Sequence, residues 1–416
     1  MREMKRSEIE WVQDIPANWI VMPNKYLMKK IKHICPIYNG EDILSLTMKG
    51  VIVRDLEAGG KMPTSFDGYQ KVYSGNLLMC LFDIDVTPRC IGLIKQEGLT
   101  SPAYSQFVLS ENADAAYYNY YYTMLDNDKT LLHLAKNLRH SLTEEQLGAI
   151  PTIVPPLQEQ KRIAQFLNKK CEELESLNSE VQAQIDVLEQ YKRSVVIEAV
   201  TKGLNPDAEM KDSGTPWIGA MPKKWDIIRG KYILKYVQKP IQEDDGVITC
   251  FRDGEVTLRS NRREDGFTMA DKEIGYQGID VGDLVVHGMD GFAGAIGISD
   301  SRGKASPVLN VLDTAQNKRY IMYYLRSMAY GDVFLALATG IRVRSCDLRW
   351  NKLAELVYPL PPREEQDAIV VHIDAIIEKT NAVIADKKAQ LETLDNYKKS
   401  LIYEYVTGKK EVSANV

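Results

Sequence analysis

The stretch that decides the fold runs Asp212-Ser213-Gly214-Thr215-Pro216-Trp217-Ile218-Gly219-Ala220-Met221-Pro222-Lys223-Lys224-Trp225. An earlier copy of its framework lies near the start of the sequence. Without a gap, the earlier positions recur as later ones: Ser7, Trp11, Pro16, Trp19, Lys25 and Tyr26 as Ser213, Trp217, Pro222, Trp225, Lys231 and Tyr232. Each pair is 206 residues apart (217 − 11 = 206). A repeat at a fixed spacing indicates a duplicated structural unit.

The same offset of 206 returns where each half ends. Pro155-Pro156 with Glu159-Gln160 matches Pro361-Pro362 with Glu365-Gln366. The match then continues through seven further positions: Leu188, Tyr191, Lys192, Ser194, Glu198, Val200 and Thr201 pair with Leu394, Tyr397, Lys398, Ser400, Glu404, Val406 and Thr407. Between these anchors the offset drifts, for example to 205 where Ile91 matches Ile296 (296 − 91 = 205). Each half therefore has constant ends and a variable middle.

A long helix is predicted after each proline pair. Apolar residues repeat there every seven positions, as in a coiled-coil seam: Leu167, Leu174, Val181, Leu188 and Val195, with Leu177 and Tyr191 near the complementary positions. Proline followed by acidic residues is typical of a helix N-terminus, so the helices are expected to begin near residues 157 and 363. In the second helix Thr380 and Lys387 fall on the seam, which weakens it and can fix its register.

Connectivity predicts the arrangement of these parts. The first helix runs into the second domain and the second helix leaves that domain, so helices that pack together must be antiparallel. About 45 residues at about 1.5 Å each would form a spacer of roughly 65 Å. Short apolar runs bounded by Gly, Asp and Ser indicate strand-rich, mixed domains. We expect an α+β fold with an internal pseudo-two-fold duplication: a first domain at 1–155, a helix at 156–203, a second domain at 204–361 and a helix at 362–410.

Composition limits the classes of function. The 416 residues carry a net charge of −5, with 44% hydrophobic and 26% charged residues, which is typical of a soluble globular protein. No stretch approaches the roughly 20 apolar residues that span a bilayer, so a cytoplasmic location without membrane contact is expected. Six scattered cysteines predict reduced thiols rather than a zinc site or disulfides. Because the net charge is negative, a strong overall positive field is excluded, and any surface that binds a polyanion must be local.

The opening stretch from Asp212 to Trp225, its degenerate copy from Ser7 to Trp19, and the two Pro-Pro motifs together resemble the specificity subunits of type I restriction-modification systems. The resemblance covers nearly the whole chain in the order recognition domain, helix, recognition domain, helix. It implies that two target-recognition domains read a bipartite sequence in double-stranded DNA. It also implies as partners two DNA adenine methyltransferase subunits and the motor-nuclease subunits that join for restriction.

No cofactor is expected in this chain, because S-adenosylmethionine and ATP would belong to those partners. The sequence has neither a GxxxxGK[ST] phosphate loop nor an Asn-Pro-Pro-Tyr type methyltransferase signature, which agrees with a non-catalytic role. Two near misses are the segment from Gly59 to Thr64 and the segment from Gly288 to Gly297. The first lacks a Ser or Thr directly after its lysine, and the second has glycines but neither a lysine nor a strand-loop-helix context. The second is interpreted as a hairpin turn.

Candidate DNA contacts are cations in turn-rich segments, because Arg and Lys read base edges and hold phosphates. The strongest group in the second half is Arg252, Arg259, Arg262 and Arg263, for which a solvated surface paired with acidic neighbours is the alternative. A second group, Arg342 and Arg344 after Gly340, resembles a Gly-x-Arg element of the family. In the first half the candidates are Lys61, Gln70, Lys71, Arg89 and, as the nearest counterpart of that element, Arg139.

Aromatic residues are interpreted as structural. The run from Tyr117 to Tyr122 is expected to fill a half-buried face rather than to stack on bases, and the repeated tryptophans are expected to anchor the domain starts. His287 is expected to be a turn or packing residue.

Three further interpretations stay open: the specificity subunit of a fused nuclease-methyltransferase system, an enzyme in its own right, and a duplicated coiled-coil assembly protein without DNA affinity. The enzyme interpretation is weakened because the sequence shows no paired nucleophile and base, no metal cluster and no nucleotide loop. The assembly protein leaves the two diverged domains unexplained.

Overall fold

The structure is a computed structural model that describes residues 2–58, 63–135, 140–262, 274–337 and 348–413. Backbone contacts divide the chain into two compact units. The first unit comprises Met1–Val181 and Ala389–Val416, and the second comprises Gln182–Lys388. Two long helices, α4 (Leu157–Lys202) and α9 (Arg363–Val406), each contribute one part to either unit. Both begin where the proline pairs predict.

The first unit contains thirteen strands and three short helices within its described residues. The strands are β1 (Met4–Ile9), β2 (Val12–Pro16), β3 (Ile20–Pro23), β4 (Met28–Ile31), β5 (His33–Ile34), β6 (Leu44–Thr47), β7 (Gly50–Val53), β8 (Gln70–Val72), β9 (Leu77–Met79), β10 (Ile91–Leu93), β11 (Gly98–Thr100), β12 (Ser105–Leu109) and β13 (Pro151–Val154). The helices are α1 (Ala115–Asn127), α2 (Thr130–Leu134) and α3 (Glu144–Ala149), with a 3-10 turn at Asn24–Tyr26.

The second unit repeats this layout. Its strands are β14 (Met210–Asp212), β15 (Ala220–Pro222), β16 (Asp226–Arg229), β17 (Lys235–Tyr236), β18 (Ile248–Cys250), β19 (Val256–Leu258), β20 (Gln277–Ile279), β21 (Leu284–His287), β22 (Ile296–Ile298), β23 (Gly303–Ala305), β24 (Leu309–Asp313) and β25 (Val357–Leu360). Its short helices are α5 (Gly230–Ile233), α6 (Lys318–Tyr330), α7 (Val333–Ala336) and α8 (Trp350–Glu355). Two 3-10 turns lie at Arg259–Asn261 and Gly291–Ala293.

Corresponding sheets confirm the duplication. The order β10-β9-β12-β4 in the first unit matches β22-β21-β24-β17 in the second, and every pairing within both sheets is antiparallel. In each unit an early strand pairs with the strand before the proline pair, as β3 with β13 and β16 with β25. The predicted α+β fold with an internal repeat is therefore confirmed.

Within each unit the helix segments run antiparallel. In the first unit the rings of Phe166 and Tyr405 lie 4.4 Å apart, and Lys398 Nζ bonds Glu175 Oε1 at 2.7 Å. In the second unit Lys192 Nζ bonds Asn381 Oδ1 at 2.7 Å. The predicted seam is correct at Leu167 and Leu174, which are buried.

The same seam is wrong at Leu177 and Tyr191, which are exposed, whereas Ile185 and Val196 are buried instead. The reason is that the ends of α4 and α9 also pack against the sheets and short helices of their units. That second contact broadens and shifts the apolar face beyond a two-position seam.

Tyrosine and tryptophan fill the cores, as the sequence predicts. Tyr117 on α1 donates its hydroxyl hydrogen to Val406 O at 2.8 Å, and the equivalent Tyr320 on α6 donates to Pro359 O at 2.8 Å. Trp19 and Trp225 are fully buried at the domain starts. Tyr320 also donates to Val200 O at 3.3 Å, so in each unit a buried tyrosine of a short helix is bonded to the end of a long helix. Among the described residues, no helix has the length and apolar character needed to span a membrane.

Candidate nucleic-acid interface

The arginine-rich segment of the second unit forms a hairpin tip. Strands β18 and β19 pair directly, so the chain must reverse between Cys250 and Val256. Gly254 makes that reversal possible with φ near +93°, a conformation that favours glycine. The tip carries Arg252, whose side chain is 65% exposed and bonds Asp290 Oδ1 at 2.9 Å. In the part of the chain that the structure describes, Asp290 is the carboxylate paired with Arg252, so this exposed arginine is available for a phosphate or a base edge.

Arg262 lies beside the same tip and is held more firmly. Its guanidinium pairs with Asp253 at 3.0 Å and with Glu255 at 3.1 Å, and it lies 4.2 Å from the ring centre of Phe251. Burial alone would raise the pKa of Asp253, but the hydrogen bonds led by Arg262 outweigh it and lower that pKa. With 37% of its side chain exposed, Arg262 would have to exchange carboxylates for DNA.

Arg259 completes the group that the structure brings together. It occupies the 3-10 turn after β19 and is half-buried, with Nε directed at Thr249 Oγ1 at 3.4 Å. Sequence reasoning missed Arg326 on α6. Its guanidinium donates to Asp253 O at 2.6 Å and so stabilises the backbone of the hairpin tip. No local pattern marks that contact, because 73 residues separate the two partners.

The first unit places its candidates apart. Lys71 on β8 is exposed and pairs with Glu97 at 3.2 Å, an interaction whose hydrogen bond raises the pKa of the lysine. Arg89 bonds Asp126 and Asn127, both at 2.9 Å, and only 14% of its side chain is exposed. Gln70 is buried and donates to backbone carbonyl oxygens. Arg89 and Gln70 thus have structural partners inside the unit. For all ten cations that the sequence analysis named, contact with DNA stays a prediction.

Half of those ten cations lie outside the described residues: Lys61, Arg139, Arg263, Arg342 and Arg344. His287 is the last residue of β21, and its side chain bonds to the turn that follows, which agrees with the expected role as a turn or packing residue. Its Nδ1 accepts from Asp290 N at 3.0 Å, and burial lowers its pKa. The Gly288 to Gly297 segment connects the antiparallel strands β21 and β22, which confirms its interpretation as a hairpin connection. Within the described ranges, no group of three or more His, Cys, Asp or Glu side chains is arranged to hold a metal ion.

Comparison with known proteins gives a sequence relative with an assigned role. A protein of Methanocaldococcus jannaschii, whose name assigns it as the MjaX specificity subunit of a type I restriction enzyme, is 24% identical over 292 residues. The alignment covers 65% of this chain and 62% of the relative, so it spans less than two thirds of that protein. No family model matches the chain.

A solved structure shares the fold. A chain from a structure on complex assembly and conformational transition of the type I R-M system has a TM-score of 0.67 at 14% identity, covering 95% of this chain and 99% of its own. The HsdS subunit from Thermoanaerobacter tengcongensis gives a TM-score of 0.48 at 14% identity, covering 95% and 98%. The curated relative confirms the resemblance to type I restriction specificity subunits that the repeated motifs indicated, and the first of these structures shows the fold.

Proposed function

We propose that this chain is the non-catalytic DNA-recognition subunit of a type I restriction-modification complex. It reads a bipartite target in double-stranded DNA and directs adenine methylation or restriction by partner subunits. The observation that carries the proposal is a pair of equivalent hairpins that differ at their tips. Hairpin β6–β7 of the first unit and hairpin β18–β19 of the second occupy the same place in the order of strands.

The two tips present different chemistry in a common frame. The first tip exposes Met48 and Lys49, whereas the second exposes Arg252 with Arg262 beside it. Arginine pairs with the O6 and N7 atoms of guanine, and an apolar side chain contacts the methyl group of thymine. Two readers of different half-sites need this combination, because they must share a scaffold and differ where they touch bases.

Partner docking is supported by a helix face that both copies share. Tyr191, Ser194 and Glu198 recur as Tyr397, Ser400 and Glu404, and all six are exposed or half-exposed. Spacings of three and seven residues place each trio on one side of its helix. Exposed tyrosine is enriched at protein interfaces. Two equal faces support two copies of one methyltransferase subunit, with motor-nuclease subunits joining for restriction.

Purification from the native host tests the function. The chain should co-purify with an adenine methyltransferase, as identified by mass spectrometry, and deletion of its gene should abolish adenine methylation at one bipartite sequence. A chain that purifies without a methyltransferase and whose loss leaves the methylation pattern unchanged would contradict the proposal.

Native mass spectrometry of variants tests the docking face. Tyr191→Asp or Tyr397→Asp alone should remove one methyltransferase copy, and the pair should remove both. Val371→Asp is the matched control, because Val371 is an exposed apolar residue on α9 whose counterpart Gln165 is polar. Equal effects of the control and the tyrosine variants would refute the assignment of this face.

A further inference from the structure

A short basic strip recurs in both units. Residues 23–33 contain Lys25, Lys29, Lys30 and Lys32, and residues 229–239 contain Arg229, Lys231, Lys235 and Lys239. Neither segment contains an Asp or a Glu, so each has a formal charge of +4 in a chain whose net charge is −5. The two segments lie 206 residues apart (229 − 23 = 206), in register with the repeated anchors. Acidic side chains from elsewhere offset part of this charge, since Lys30 pairs with Glu144, Arg229 and Lys231 share Glu355, and Lys239 pairs with Asp280 and Asp283. The cations that remain are a local feature that the overall charge conceals.

The strip has the same exposure pattern in both copies. Tyr26 and Tyr232 are 64% and 74% exposed, although large aromatic side chains are usually mostly buried. The ammonium group of the preceding lysine lies 5.1 Å from the ring centre of Tyr26 and 5.4 Å from that of Tyr232. The next two residues are buried or half-buried in each copy, and the following Lys29 or Lys235 is exposed.

Local structure explains this pattern. The Lys-Tyr pair belongs to the 3-10 turn Asn24–Tyr26 in the first unit and to α5 in the second, and the exposed lysine after it is on β4 or β17. In the second unit Gly230 lies so close to Leu353 O that a side chain there would overlap it. Packing against α8 therefore turns Lys231 and Tyr232 outward.

The kind of partner follows from the duplication, and this step depends on the proposed function. Surfaces that read different half-sites differ between the copies, so an exposed surface that stays the same contacts something common to both half-sites. The DNA backbone meets that condition, and Lys and Tyr side chains both donate hydrogen bonds to phosphate oxygens. A protein partner fits less well, because lysine is depleted at protein interfaces.

We propose that Lys25, Tyr26 and Lys29, together with Lys231, Tyr232 and Lys235, bind the phosphates of the two half-sites and position each reader without reading sequence. Among the described residues, Lys231 is paired at 3.3 Å with Glu355, and no ion pair to an acidic side chain is found for Lys25, Lys29 or Lys235. The strip is thus the same in both units, whereas the hairpin tips differ.

The test measures the salt dependence of binding by the complex of this chain with its methyltransferase, on a duplex of random sequence. In Lys29→Gln/Lys235→Gln, the slope of log K against log salt should become shallower by about 0.9 for each lost phosphate contact, or about 1.8 in all. Tyr26→Phe/Tyr232→Phe should weaken binding without a change in slope. Lys5→Gln/Lys388→Gln is the control, because it removes the same charge from exposed lysines outside the strips.

The proposal also requires that methylated sequences stay unchanged in every strip variant. An unchanged slope in Lys29→Gln/Lys235→Gln, or a shift equal to that of the control, overturns it. Loss of methyltransferase copies would identify the strip as a protein interface, and an altered half-site would identify it as a base reader; either result overturns it. If the wild-type complex methylates a bipartite site while the slope stays unchanged, only this inference fails and the proposed function stands.

Discussion

Replacing Arg89 separates a structural arginine from a DNA-reading one. The guanidinium is paired with Asp126, whose side chain is only 3% exposed, and that carboxylate also accepts from Cys90 N at 3.3 Å. Arg89→Met leaves a buried carboxylate without its cation. Breaking a buried pair from one side costs about 3 to 5 kcal/mol, because the remaining charge stays desolvated. We expect the lower end of this range, since the arginine retains some exposure.

Pulse labelling of Cys90 with a thiol reagent along a urea gradient measures this loss. Cys90 is buried next to the pair and reacts only after the first unit opens. With urea m-values of about 1 to 3 kcal/mol per M, a loss of about 3 kcal/mol lowers the labelling midpoint by about 1 to 3 M. The variant Arg89→Met/Asp126→Leu should be less destabilised than Arg89→Met, because it removes both charges.

Methylation mapping of the same variant provides the refutation. The pairing predicts that Arg89→Met keeps the methylated sequence, at a lower protein yield. An unchanged labelling midpoint together with an altered or lost half-site would show that Arg89 reads DNA, and that its contact with Asp126 contributes little.

Three further predictions concern the second unit and its equivalents. Arg252→Ala should relax discrimination by about 1 to 3 kcal/mol in one half-site only, if the arginine binds a guanine edge, and sequencing of methylated sites checks this. Gly230→Ala should destabilise the protein in thermal unfolding by about 1 to 3 kcal/mol through overlap with Leu353 O, whereas Gly148→Ala, with 3.4 Å of clearance, should not. Hydrogen bonds led by Arg302 lower the pKa of Asp245, and those from Lys239 and Arg302 lower that of Asp280. Carboxylates with lowered pKa values stabilise the fold above about pH 4, so the thermal midpoint should fall on acidification below it, and less steeply in Arg302→Met.

Repeated local features were predictable from the sequence. The offset of 206 identified the duplicated frame, and proline followed by acidic residues located the starts of α4 and α9. These signals act over a few residues, so they survive without knowledge of tertiary contacts. The buried tyrosines of α1 followed from the same kind of reasoning.

Contacts between distant parts were not predictable. Arg89 looked like a surface cation because Asp126 lies 37 residues away along the chain. Leu177 and Tyr191 were assigned to the helix seam because the heptad pattern does not reveal that the helix ends also pack on strands. The basic strips were visible as charge in an eleven-residue window. Their meaning depended on the exposure of Tyr26 and Tyr232, which only the structure supplies.

The most direct test of the central claim is to map methylated adenines after exchanging one recognition domain. Residues 204–361 would be replaced by the second domain of a specificity subunit with a different target, and the host's adenine methylation would be sequenced. Independent readers predict that one half of the methylated bipartite sequence changes while the other half stays as in the wild type. A change in both halves, or a methylation pattern that does not depend on the exchanged domain, would contradict the account.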